Sequence, residues 1–84
     1  MAGALTRVPR YFFHVHDSVD LLDNDGTELT GPDEARVQAV VTAGELLRDV
    51  GGRFWNSPEW RLWVIDEAGQ RICALRFSAE HPRP

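Results

Sequence analysis

Trp60-Arg61-Leu62-Trp63-Val64-Ile65, the turn Asp66-Glu67-Ala68-Gly69 and Arg71-Ile72-Cys73-Ala74-Leu75-Arg76-Phe77 form the stretch that decides the fold. Two runs rich in β-branched and aromatic residues, joined by a short turn that ends in glycine, read as a β-hairpin. Both faces of this hairpin are apolar. Leu62 and Val64 alternate with Trp63 and Ile65, while Cys73, Leu75 and Phe77 alternate with Ile72 and Ala74. Successive side chains of a strand point to opposite faces, so a single covering layer can bury only one of these sets. The register stays open at this level, because a one-residue slip would exchange the two faces.

Upstream lies the element that can supply the cover. Thr30 or Gly31 can cap a helix, Pro32 suits its first turn, and Asp33 and Glu34 face the positive end of the helix dipole. From there Ala35, Ala39, Val40, Ala43, Leu46, Leu47 and Val50 recur at helical spacing, a stripe about four turns long. Gln38, Thr42, Glu45 and Asp49 occupy the other side, and Val37 and Val41 sit one turn apart beside the stripe. Gly51-Gly52 ends the helix by allowing a left-handed cap. Residues 53–58 then read as a connecting loop carrying Phe54 and Trp55.

Further back, Arg10 to His16 is aromatic-rich and reads as a strand. Asp17-Ser18-Val19 turns the chain, and Asp20-Leu21-Leu22 returns it as a short strand. Asp23-Asn24-Asp25-Gly26 is a turn, since Asn and Gly tolerate positive φ and Asp caps its own backbone. Thr27-Glu28-Leu29 leads into the helix. The order ββαββ predicts an α+β fold: a four-stranded, mostly antiparallel sheet with one helix packed on one face. The expected layout is a flexible leader over 1–9, one domain over 10–78 and a flexible tail over 79–84.

Composition narrows the function classes. The chain has 84 residues, enough for one domain but with little room for a deep cleft. Its net charge of −4 counts against nucleic acid, whose binding needs cations to displace counterions. All nine basic residues are arginine, so no lysine base, Schiff-base lysine or phosphate-loop lysine exists. A single cysteine, Cys73, forbids an internal disulfide and any multi-cysteine metal site. The opening residues lack the apolar stretch of a signal peptide, and no apolar run is long enough to span a membrane. A cytoplasmic protein without a cofactor is expected.

Arg10-Tyr11-Phe12-Phe13-His14-Val15, then Asp17 and Asp25-Gly26-Thr27-Glu28-Leu29, resembles the short bacterial domains of unknown function that open Pro-Arg-Tyr-Phe-Phe-His, a rhizobial-type family. The resemblance continues through Ala35 and Ala39 to Val64, the Asp66-Glu67-Ala68-Gly69 turn and Leu75 to Phe77, about residues 9–78. The chain departs from the pattern in its longer leader and in the tryptophan-bearing loop from Phe54 to Trp60. The resemblance implies that Phe13, Val15, Leu62, Val64, Leu75 and Phe77 face the helix, with Trp63 and Ile72 on the outer side. It implies no activity.

Candidate chemistry is sparse. His14-x-His16 places two imidazoles on one strand face, where they could converge on zinc or nickel, but a third ligand is needed. Asp23-Asn24-Asp25-Gly26 fails as a calcium loop, since the first and twelfth ligand positions would fall on Leu21 and Pro32. Asp17, Asp20, Asp23, Asp25 and Glu28 form an acidic run of the kind that discourages edge-to-edge aggregation. Cys73 sits in an apolar strand, which raises a thiol pKa and leaves it inert. Ser18, Ser57 and Ser78 lie in turns or at strand ends without a nucleophile elbow.

A contiguous exposed apolar face marks an interface more often than chance, and tryptophan is a frequent binding hot spot. The expected role is therefore a non-enzymatic protein-interaction module, a homodimer or one half of a protein complex. Its contact face would be formed by Phe12, Trp63, Ile65 and Ile72, with Val37 and Val41 as a second contact and Trp60 kept for the core. The alternative is a metal- or ligand-binding regulator using His14 and His16.

Overall fold

The computed structural model describes residues 8–56, 59–80 and 82. Residues 1–7 of the expected leader, Ser57 and Pro58 of the loop, and His81, Arg83 and Pro84 of the tail lie outside the described residues. The elements are β1 (Arg10–Asp17), β2 (Val19–Leu21), β3 (Thr27–Glu28), α1 (Pro32–Val50), a 3₁₀ helix (Gly51–Asn56), β4 (Glu59–Ile65) and β5 (Arg71–Ser78). The sheet runs β2-β1-β4-β5, each neighbour antiparallel to the next. One helix packs against a mostly antiparallel sheet, and the fold is α+β.

The sheet has five strands rather than four. The residues expected only to lead into the helix instead pair Thr27 with Tyr11 and Glu28 with Arg10. That short strand is held by Leu29 N–H donating to the Pro9 carbonyl at 3.0 Å. The Arg10 guanidinium ties it further, donating to the Asp25 carbonyl at 2.8 Å and to Glu28 Oε2 at 3.1 Å. Such long-range partners are invisible to a local reading of Thr27-Glu28-Leu29.

One core lies between sheet and helix. Tyr11 and Val15 from β1, Trp60, Leu62 and Val64 from β4, Leu29, and the alanines Ala35, Ala39 and Ala43 of α1 are buried. Phe13, Leu75 and Phe77 pack against them, so all six residues implied by the resemblance lie on the helix side. The small alanine side chains let α1 approach β4 and β5 closely, and the large side chains come from the sheet. Trp60 and Phe77, opposite each other on β4 and β5, meet edge to face with ring centroids 5.7 Å apart.

Three further expectations change. The bulge between β4 and β5 pairs Val64 with Cys73 but Ile65 with Arg71, so Ile72 is the extra residue. It turns to the helix side and packs on the core, and the outer position expected for Ile72 goes to Arg71. Val40, placed by its spacing in the buried stripe, is 61% exposed. The helix seats its face along Ala35, Ala39 and Ala43, and Val40 falls with Val37 and Val41 on the far side. Lastly, the segment after Gly51 is not an irregular loop, because 3₁₀ turns continue to Asn56.

The helix ends follow the expected chemistry. Gly31 is the N-cap residue with Pro32 next and has no side chain to cap with; one residue earlier, Glu34 Oε1 reaches back and accepts the Thr30 N–H at 2.7 Å and the Thr30 hydroxyl at 3.0 Å. These bonds hold the Glu34 carboxyl below its usual range. At the other end Gly51, with φ of 55°, donates its N–H to the Leu47 carbonyl.

Candidate functional site

Strand alternation assigns the outer sheet face without ambiguity once the register is known. Phe12, His14 and His16 on β1 alternate with buried or half-buried core residues, as do Arg61, Trp63 and Ile65 on β4. The pairing sets these residues in rows across the strands. One row runs Asp20, His16, Arg61, Arg76; the next runs His14, Trp63, Ala74; a third runs Phe12, Ile65, Arg71.

Aromatic contact organises the middle of the face. The His14 and Trp63 rings lie 5.5 Å apart at 53°, a tilted stack between neighbouring strands. Beside them a shallow depression of about 260 Å³ is lined by Arg61, Trp63, Arg71, Ala74 and Arg76. Like charges directly opposite each other on neighbouring strands are unfavourable, yet Arg61 faces Arg76. The Arg76 guanidinium reaches Glu59 only at 3.7 Å between exposed groups. Among the described residues no carboxylate pairs with Arg61 or Arg71.

The opposite border of the face is acidic. His16 Nδ1 and Asp20 Oδ1 are 2.6 Å apart, and Asp23 sits beside His14. The Asp23 N–H donates to His14 Nδ1 at 2.9 Å. Both histidines therefore share one face, as expected of residues two apart in a strand, and both use Nδ1 within the fold. Among the described residues no group of three His, Cys, Asp or Glu side chains could hold a metal ion. The third ligand that the metal reading needs is not supplied by that set.

Of the interface candidates, Phe12, Trp63 and Ile65 share the outer face and are half-buried, and Ile72 is not on it. Val37 and Val41 lie elsewhere, exposed on the solvent side of α1 at 65% and 47%. Sequence reasoning set Arg61 beside Trp63 as a contact residue but missed Arg71 and Arg76. The signal for Arg76 was present in the alternation, since it is one residue from Leu75, but the bulge hid Arg71. Cys73 lies on the helix side opposite Val64; burial pushes its thiol pKa up, with Arg36 pulling in the other direction.

No helix among the described residues is long and apolar enough to cross a membrane. A family described as a domain of unknown function (DUF6894) matches residues 10–78, and the chain belongs to that family. No curated protein and no solved structure matches it.

Proposed function

We propose that this DUF6894 member is a non-enzymatic protein-interaction module that self-associates through its outer sheet face. One observation carries the reading. The helix lies on the β4–β5 side that holds the core, while Phe12, His14, Trp63 and Ile65 form a connected aromatic and aliphatic surface on the other face. An antiparallel sheet tolerates one solvated face when that face is polar. A face centred on tryptophan, histidine and phenylalanine instead fits an interface core ringed by charge.

Light scattering of the wild type and of Trp63→Glu across a concentration series tests this. The expected result is an assembly heavier than the 9.5 kDa chain that becomes a folded monomer on substitution. A wild type at 9.5 kDa at every concentration would remove the reading.

A further inference from the structure

The outer face is electrically divided, and the division selects one way for two copies to meet. Its β5 border carries Arg71 and Arg76, with Arg61 next to them on β4. Its β2 border carries Asp20, and Asp23 lies at the edge of β1 just beyond it. We propose that the occupant of this face is a second copy of the chain, stacked sheet on sheet about a two-fold axis that runs along the strands between β1 and β4. The proposal rests on the self-association reading above and specifies its geometry.

The strand order decides how two such faces can stack. Rotation about an axis along the strands reverses the order β2-β1-β4-β5 across the interface and keeps each row at its own height. The β5 border of one copy then covers the β2 border of the other, and Arg76 meets the second copy's Asp20. In the row above, Trp63 of each copy covers His14 of the other, which places the aromatic pairs at the centre. A two-fold axis across the strands instead stacks β5 on β5 and brings Arg76 onto Arg71 of the second copy. Like charges brought together in an interface cost several kcal/mol, so the charge pattern separates the two modes. Aligned sheets pack about 10 Å apart and about 30° off parallel, within reach of an arginine–aspartate pair.

The same pairing gives the unpaired cations a role. Arg61 and Arg71 have no carboxylate partner within the described residues, and Arg76 has only a long contact to Glu59. In the stacked dimer Arg71 and Arg76 on β5 face the acidic border of the second copy, and Arg61 on β4 lies over the second copy's His16 beside Asp20. Isologous contact doubles each such pair, because every residue pairing occurs twice.

A charge-swap series on the full chain, followed by light scattering and circular dichroism, tests the arrangement. Asp20 and Arg76 are both well exposed, so neither single change should unfold the domain. Asp20→Arg alone and Arg76→Asp alone should each weaken the dimer at least about tenfold, and the double change Asp20→Arg/Arg76→Asp should restore it. A dimer that Trp63→Glu breaks but that ignores the single reversals, or that the double change fails to rescue, overturns this geometry and leaves the self-association reading standing. A wild type that is monomeric throughout overturns both. If that monomer binds an acidic peptide through Arg76, the occupant is a foreign chain and not a second copy.

Discussion

The Asp23 carboxylate accepts the backbone N–H of Phe13 at 3.1 Å and so stands in for a missing piece of strand. Along that edge of β1, β2 pairs with Val15 to Asp17 and β3 with Arg10 and Tyr11. Between them the chain leaves the sheet, and the N–H of Phe13 faces a gap. Asp23 fills it with a side chain, and the same carboxylate accepts the N–H groups of Asp25 and Gly26 at 3.0 Å each, which closes the turn into β3. Removing it strands three backbone donors. Asp23→Ala should lower unfolding free energy by about 1–3 kcal/mol, with Asp23→Asn losing less, as read by urea denaturation.

The same group predicts a pH dependence. Burial pushes the Asp23 carboxyl up, but the N–H donors of Gly26, Phe13 and Asp25 outweigh it, and the net pKa is lowered. A carboxyl with a depressed folded-state pKa stabilises above its unfolded value and loses that contribution as pH falls through the folded one. The stability gap between wild type and Asp23→Asn should therefore be full at neutral pH and close in acid. A gap that stays constant down through the carboxylate range would show that charge plays no part in the Asp23 contacts. Glu34 shares the sign of the shift, so only the difference between the two proteins isolates Asp23.

Gly26 is required twice over. Its φ is 75°, and a Cβ there would lie 2.7 Å from Arg10 Cγ and 2.8 Å from Phe12 Cε2. Gly26→Ala should destabilise by about 1–3 kcal/mol from the left-handed backbone and the clash together. Gly69→Ala makes a useful control. It has a similar φ of 81° but open space around the position, so its loss should be the smaller of the two in the same melt.

Ile72 distinguishes the bulged register from a regular one. In the bulged sheet it belongs to the core side, so Ile72→Asp should cost about 2 kcal/mol or more of stability. Arg71→Asp, on the outer side, should leave the stability of the dilute monomer nearly unchanged. Equal stability losses for the two variants would mean that the bulge is misplaced.

Cys73 should react slowly. Burial raises its thiol pKa even with Arg36 nearby, so the thiolate fraction at neutral pH is small. Labelling by a maleimide should be slower in the folded protein than in urea. Equal rates in the two conditions would place the sulfur in solvent.

What the sequence determined by itself was everything carried by local periodicity. The alanine-rich helix with its Pro32 start and Gly51 end, the alternating strands β1, β4 and β5, and the surplus apolar face of the last hairpin were all legible. Those signals depend only on where a side chain points along its own element, and this made the α+β architecture and the placing of Trp60 and Trp63 accessible. What only the tertiary structure decided depends on which distant residues pair. The bulge that moves Ile72 inward and Arg71 outward needs the register of β5 against β4. The third short strand needs Arg10 and Tyr11 as partners, and the role of Asp23 exists only because β2 and β3 leave a gap along β1. Val40 shows the same limit within a helix, since the seam Ala35-Ala39-Ala43 is chosen by the sheet it lies on. The division of the outer face into acidic and arginine borders emerges only when four strands are laid side by side, because a row across a sheet has no counterpart in the linear chain.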